Sequence, residues 1–235
     1  MNEITATLGE AFWLMMLSDT NLLEIIGLSL RVSLTAVVIS CLIGFPVGAA
    51  LGIGRFPGRQ TIILCVNALM GLPPVVVGLV VYLILSKNGP FGWMELLYSP
   101  TAMIIAQFII VTPLVIALSR QVIEDTYLEY RELFWSLSVP RKIAIFTLLW
   151  DARYSLATVT LAGFGRAIAE VGAVIIVGGN IDHLTRVMTT TIALETSKGN
   201  LDLALALGII LIILSLSVNF AVVLLRGISG RNTDV

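Results

Sequence analysis

Five apolar stretches, each long enough to cross a lipid bilayer, take up most of this 235-residue sequence. They run over residues 22–54, 61–85, 101–118, 155–177 and 201–225. Crossing the ~30 Å hydrocarbon layer takes about 20 helical residues, with a working range of about 17–25. A bilayer core offers no water to backbone N–H and C=O groups, so a spanning segment must satisfy them internally, as a helix or within a closed barrel. These stretches are continuously apolar and do not alternate with period two, which points to helices. Hydrophobic residues make up 57% of the chain and charged residues 12%. A soluble domain needs about 25% charged residues to solvate its surface, so lipid must cover much of this one. The expected fold is therefore an all-α integral membrane protein: one bundle of about five transmembrane helices filling residues 1–235 as a single transmembrane domain.

Lysine and arginine fix the expected orientation. Arg55 and Arg59 follow the first stretch, and Arg120, Arg131, Arg141, Lys142 and Arg153 lie between the third and fourth. Arg226 and Arg231 close the tail, whereas the alternate connections hold only Lys87, Arg186 and Lys198. Cations concentrate on the cytoplasmic side, which puts the N-terminus outside and the C-terminus inside. Residues 1–20 hold a short amphipathic piece, 4–17, with Trp13; it is too short to span and is predicted to lie in the membrane interface. Asn21 followed by Glu24 has the spacing of a capping box for the first span. Arg226 and Gly227 read as the end of the last one, a cation in the final turn and glycine beyond it.

Several function classes are excluded on composition. A net charge of −1 gives no basic surface for nucleic acid. Cys41 and Cys65 both fall in apolar stretches and read as small buried hydrophobes with no disulfide between them. Residues 1–10 have no positive segment, so no cleaved signal peptide is expected. His183, the sole histidine, stands beside Asp182 in an outer connection with too few neighbouring ligands for a metal, and reads as a solvated loop residue. No phosphate-binding Gly-x-x-x-x-Gly-Lys-Ser/Thr loop occurs, so ATP hydrolysis would need another chain. An intramembrane enzyme would need a convergent nucleophile or metal set, which one histidine and two cysteines do not supply. Catalytic and metal residues are accordingly expected to be none.

The most informative segment is the long cytoplasmic connection, 119–152. It reads Glu129-Tyr130-Arg131-Glu132-Leu133-Phe134-Trp135-Ser136-Leu137-Ser138-Val139-Pro140-Arg141. The pattern predicts a short helix with Leu133, Phe134 and Leu137 on one side, then a break, then a basic restart. Large apolar side chains on an exposed helix call for a partner. This segment resembles the coupling motif of permease subunits in binding-protein-dependent ABC importers. Glu132 stands at the motif glutamate, Leu137-Ser138 at its leucine-glycine pair and Arg141 at its basic position. Leu133-Phe134 replace the motif's two alanines, Ser138 its glycine, and Trp150-Asp151 a usual leucine-proline.

The following segment, Leu161-Ala162-Gly163-Phe164-Gly165-Arg166-Ala167-Ile168-Ala169-Glu170-Val171-Gly172-Ala173, resembles the span after the coupling loop in permeases for molybdate, tungstate and sulfate. Gly71-Leu72-Pro73-Pro74-Val75-Val76-Val77-Gly78 and Trp150-Asp151-Ala152-Arg153 look most like the tungstate-type permeases. The resemblance extends over nearly the whole chain and implies a type I ABC importer permease with a cytoplasmic coupling helix, in a prokaryotic cytoplasmic membrane. It further implies a homodimer, two ATPase subunits on the cytoplasmic side carrying ATP and Mg, an extracytoplasmic oxyanion-binding protein, and no cofactor on this chain. Tungstate is the expected cargo, with molybdate or sulfate as alternatives. Tyr130, Arg131, Glu132, Leu133, Phe134, Leu137, Ser138, Pro140 and Arg141 are the expected coupling residues. A self-sufficient gradient-driven transporter is the rival reading, although such proteins usually carry more intramembrane carboxylates than Glu170.

Charges and breaks within the spans leave two readings each. Arg166 and Glu170, four residues apart, are expected to share one face of span four. They either line the route of an anion or form an internal ion pair that offsets its own desolvation. Pro73-Pro74 removes two helical donors and must kink or open span two, as a gate or as a packing device. Pro113 reads as packing, and the small residues Gly163, Gly165, Ala167 and Ala169 as sites of close helix contact.

Overall fold

The computed structural model describes residues 20–231, with side chains left out at Thr20, Asn219 and residues 222–231. The interfacial segment expected at 1–20 therefore lies outside the described residues, apart from the helical backbone at Thr20. Three helices are each long and apolar enough to span: α1 (Thr20–Ile53), α4 (Pro100–Ser136) and α9 (Leu201–Arg231). Two more spans are broken pairs, α2 (Arg59–Met70) with α3 (Pro74–Leu85), and α6 (Arg153–Ile168) with α7 (Gly172–Gly178). Counting each pair as one span gives five. Two shorter helices complete the described chain, α5 (Arg141–Asp151) and α8 (Met188–Lys198), with a single 3₁₀ turn at Gly92–Met94. No strand occurs among the described residues.

The chain alternates between two compact units. Unit one holds 20–35, Pro73–Gln107 and Ala167–Ser217; unit two holds Ala36–Leu72, Phe108–Arg166 and 218–231.

In unit one, α3 and α7 pack at very short range. A Cβ at Gly78 would meet the Ala173 Cα at 2.6 Å, so only glycine lets these helices approach so closely. The breaks on either side of them leave backbone groups without helical partners, and side chains fill in. Ser29 Oγ accepts from the Met188 N–H at 2.8 Å, Thr189 Oγ1 donates to the Glu170 carbonyl at 3.0 Å, and Thr185 Oγ1 donates to the Gly178 carbonyl at 2.6 Å. Thr190 pairs with Asn180 Oδ1 at 2.9 Å, and Thr191 donates to the Val187 carbonyl at 2.7 Å. All five hydroxyl residues are buried.

Unit two has a largely aliphatic interior in which Ala49, Ile53, Ile123, Leu148, Ala152 and Leu156 form one buried cluster. Close backbone approach recurs where α1 crosses α4: a Cβ at Gly44 would lie 2.7 Å from Val115 Cγ1. An ion clamp ties the end of α1 to α4. Arg59 Nε donates to the Leu51 carbonyl at 2.7 Å and its Nη2 to Glu124 at 3.1 Å, while Arg120 holds the other Glu124 oxygen.

Several local expectations are corrected. Asn21 is already inside α1 and the Glu24 carboxylate is bonded to His183, so that pair does not form the capping box. Helix α9 runs past Arg226 and Gly227 to Arg231; one glycine costs a helix interior only about 1 kcal/mol, so it does not compel a stop. Cys41 is buried, and its thiol lies 3.6 Å from Thr160 Oγ1, but Cys65 is exposed on α2. Neither cysteine is bonded to the other. Of the small residues, Gly163 packs against Val111 and Val115, whereas a Cβ at Gly165 would meet open space.

Candidate functional site

The candidate coupling site is the turn between α4 and α5. Residues 129–136 were expected to form a short helix of their own, yet they are the last turns of α4, which runs unbroken to Ser136. What stops α4 is a Schellman motif. Ser138 adopts φ 50°, the Ser138 N–H donates to the Trp135 carbonyl at 3.2 Å, and the Val139 N–H to the Phe134 carbonyl at 3.0 Å. Both bonds satisfy carbonyls that the helix end leaves open. A left-handed residue is what glycine supplies without steric cost, which gives a physical reason for the glycine of the resembled motif. Pro140, with φ −61° and ψ 142° and no N–H of its own, then starts α5 at Arg141.

The expected coupling residues divide by face. Phe134 turns inward and stacks on Tyr130 and Tyr127, with ring centroids 5.8 and 6.3 Å apart, against the buried cluster around Leu148. Leu133 and Leu137, which the sequence placed on the same side as Phe134, are exposed instead. They are four apart and share the outer face, while Phe134 is rotated about 100° from Leu133 by the helical period. Trp135 is the most exposed large apolar residue of the described chain, at 83%, with Phe146 at 79% and Trp150 at 71%. These three aromatic side chains and Leu137 form a cluster of exposed apolar residues confined to the 16 residues 135–150 around the turn, far more than solvent alone would favour.

Beside the turn lies a cavity of about 720 Å3, lined by Arg55, Arg131, Glu132, Phe134, Trp135, Val139 and Arg141 among others. Glu132 thus shares the lining of this cavity with three arginines. Across the helix ends, the Asp151 carboxylate near the Tyr130 hydroxyl raises its pKa above the ordinary tyrosine value. The aspartate that replaces a proline of the resembled motif thus lies close to α4 from the end of α5, a proximity that the sequence pattern did not reveal.

The membrane-depth candidates are placed differently. Pro73 and Pro74 do more than kink span two. The helix stops at Met70, Gly71 to Pro73 are non-helical, and Pro74 occupies the first position of α3, where its missing N–H costs nothing. Span four is also broken. Helix α6 ends at Ile168, so Arg166 and Glu170 are not on one continuous helical face. Glu170 lies in the break, 4% exposed, where its Oε1 accepts from the Ala173 N–H at 3.2 Å and so caps the short α7. Arg166 is half-buried near the end of α6. Gln107, which sequence reasoning missed, donates its Nε2 to the Ala167 carbonyl at 3.1 Å across the same break, and its own Oε1 is buried without a partner. A polar residue in an otherwise apolar run was the available signal.

His183 is exposed, as expected, and its Nδ1 lies 2.8 Å from Glu24 Oε2. That carboxylate is the main cause of a raised imidazole pKa. Among the described residues, no group of three or more His, Cys, Asp or Glu converges as metal ligands would.

Comparison with known proteins decides the family. The chain is 40% identical over 208 residues to a probable anion ABC transporter permease protein of Haloferax volcanii, covering 86% of this chain and 90% of that one. The chain belongs to the ABC transporter permeases. The permease is also 38% identical over 219 residues to the tungstate uptake system permease protein TupB of Peptoclostridium acidaminophilum, covering 93% of this chain and 96% of the relative. The corresponding protein of Campylobacter jejuni is 36% identical over 211 residues, with 90% and 88% covered. No family model matches the chain. With its apolar helices, this membership makes the permease a multi-pass protein of the inner membrane and a transport component, not an enzyme.

Proposed function

We propose that this permease is the membrane-spanning subunit of an ATP-driven importer whose cargo is tungstate. The observation that carries the cargo is the pair of relatives named as tungstate uptake permeases, each covering nine-tenths or more of this chain. Tungstate is a compact tetrahedral dianion, close in shape to molybdate and sulfate, so discrimination at membrane depth would have to come from a few polar groups. A separate extracytoplasmic oxyanion-binding protein is better placed to supply it.

The permease works as a homodimer around the path, with two ATPase subunits docked on the cytoplasmic side. The turn at Leu137 and Ser138 is the docking element. Leu133, Trp135 and Leu137 supply the apolar contact, Glu132, Arg131 and Arg141 the charged rim, and Phe134, Tyr130 and Pro140 hold the turn in shape. Because α4 runs without a break from its membrane-spanning part to this turn, a displacement at the ATPase passes along one helix into the bundle. ATP-driven closure of the ATPase pair opens the path outward, and hydrolysis resets it. Pro73, Pro74, Arg166 and Glu170 sit at the two broken spans and are the candidates for the path and its gate, since interrupted helices within a membrane are tolerated where they line a cavity or are buried in protein.

Uptake into proteoliposomes holding the permease, its ATPase and its binding protein tests this reading. Tungstate uptake that requires ATP and is displaced more readily by unlabelled tungstate than by molybdate or sulfate is the expected result. Equal displacement by sulfate would overturn the cargo, and uptake driven by an ion gradient without ATP would overturn the mechanism. Glu132→Ala is expected to weaken ATPase docking or uptake while the fold stays intact, and unchanged uptake would remove Glu132 from the coupling surface.

A further inference from the structure

A second concave site lies in unit two, between α1 and the α5–α6 region, in a cavity of about 530 Å3. Its walls are apolar, with Val38, Leu42 and Pro46 from α1 facing Leu149 and Leu156. Leu42 is 70% exposed and Val38 54%, so no part of the described chain covers them. The groove follows α1 for about 12 Å, the rise of eight helical residues. Its deep end is marked by the contact of Cys41 with Thr160.

The other end carries one cation. Arg153 lines the groove where α6 begins, and its guanidinium lies over the rings of Trp150 and Tyr154, 5.3 and 4.7 Å from their centroids. Its only polar contact among the described residues is from Nη1 to the Trp150 carbonyl at 2.9 Å, and no carboxylate there pairs with it. Arg59 and Arg120 of the same unit, by contrast, both hold Glu124. Arg153 is thus held by aromatic rings, exposed and without a carboxylate partner, next to an apolar trough. Tryptophan and tyrosine favour the headgroup level of a membrane, and an arginine there sits at the boundary between lipid tails and water.

We propose that this groove binds one anionic phospholipid of the cytoplasmic leaflet, with an acyl chain along Val38, Leu42 and Pro46 and the phosphate on Arg153. Charge complementarity selects this occupant. A neutral apolar partner would make no use of the Arg153 charge, whereas an acidic headgroup with a tail answers both ends of the groove. The inference concerns the lipid face of the chain and does not rest on which oxyanion is carried or on ATP coupling.

The test is native mass spectrometry of the permease with its copurifying subunits, stripped of lipid and then given phosphatidylglycerol or phosphatidylcholine. One phosphatidylglycerol per chain is expected to survive activation that removes phosphatidylcholine. Arg153→Gln should lower that retention about fivefold, the worth of one surface cation toward an anionic lipid. Leu42→Trp, which fills the trough while leaving the charge, should lower retention of phosphatidylglycerol as well. Equal retention of the two lipids by the native protein, or retention unaffected by Arg153→Gln, would overturn the site. So would crosslinking of Leu42→Cys, in a Cys41→Ser and Cys65→Ser background, to a second copy of this chain, because the groove would then be a protein interface. ATP-driven uptake measured on the same preparations reports separately on the transport function.

Discussion

Unit one and unit two solve the same problem, an interior without water, by opposite means. Unit one contains both helix breaks of the spans that lead into it, at Pro73 and at Ala169 to Val171, and each break strands backbone groups. Buried hydroxyls and amides take them up, as Ser29, Thr185, Thr189 and Gln107 do. Unit two keeps α4 and most of α6 continuous, needs few such substitutes, and fills its interior with Ile123, Leu148 and Leu156. The outer surfaces differ in the same sense. Every cation of the group assigned to the cytoplasm, from Arg55 to Arg231, belongs to unit two by sequence, and so do the exposed Trp135, Phe146 and Trp150. In a bilayer, irregular backbone requires polar side chains, while continuous helix leaves a unit free to spend its surface on partners.

The contrast can be broken most forcefully in the aliphatic interior. Leu148→Ala, at a fully buried side chain, should cost about 2–5 kcal/mol in unit two. Reversible unfolding in detergent micelles is the check, and a loss well under 1 kcal/mol would mean that the cluster can collapse around the gap. In unit one the sensitive change is polar. Thr190→Val keeps the volume but leaves Asn180 Oδ1 without its 2.9 Å donor, and should cost about 1–3 kcal/mol in the same assay. Were Thr190→Val harmless, the hydroxyl network would not be what holds the broken helices.

The remaining two effects are smaller. Ser138→Gly should stabilise the permease by about 1 kcal/mol, because the left-handed conformation costs an L-residue about that much. An unchanged unfolding midpoint would show that the turn is not held as described. The last effect is one of pH. His183 has its pKa raised by Glu24, so the contact contributes fully below the unfolded histidine value and is lost as pH rises through the folded one. Stability is therefore expected to decline slightly as pH rises through that window, and His183→Gln should abolish the slope.

The spans were legible because length and continuous apolarity suffice to specify them, and the break in span two because Pro73-Pro74 cannot continue a helix. The break in span four was not, since Ala169 and Val171 are ordinary helix residues and only Glu170 capping α7 gives it away. Helix α8 was missed because its buried side, Thr189, Thr190 and Thr191, is polar and has no apolar period. At the candidate site, the exposed Leu133 and Leu137 were readable as a surface wanting a partner. The inward turn of Phe134 was not readable, because it depends on Tyr127 and Tyr130 in a helix that continues from the membrane.

Coupling, as proposed, depends on the turn at Ser138 being a docking surface for an ATPase. Extraction of the permease from its native membrane in a gentle detergent, with identification of the copurifying chains, tests this most directly. A stoichiometric P-loop ATPase that is retained by the native permease and lost in Leu137→Glu is the predicted result. A permease that emerges alone, or one that keeps its ATPase when Leu137 carries a charge, would contradict it.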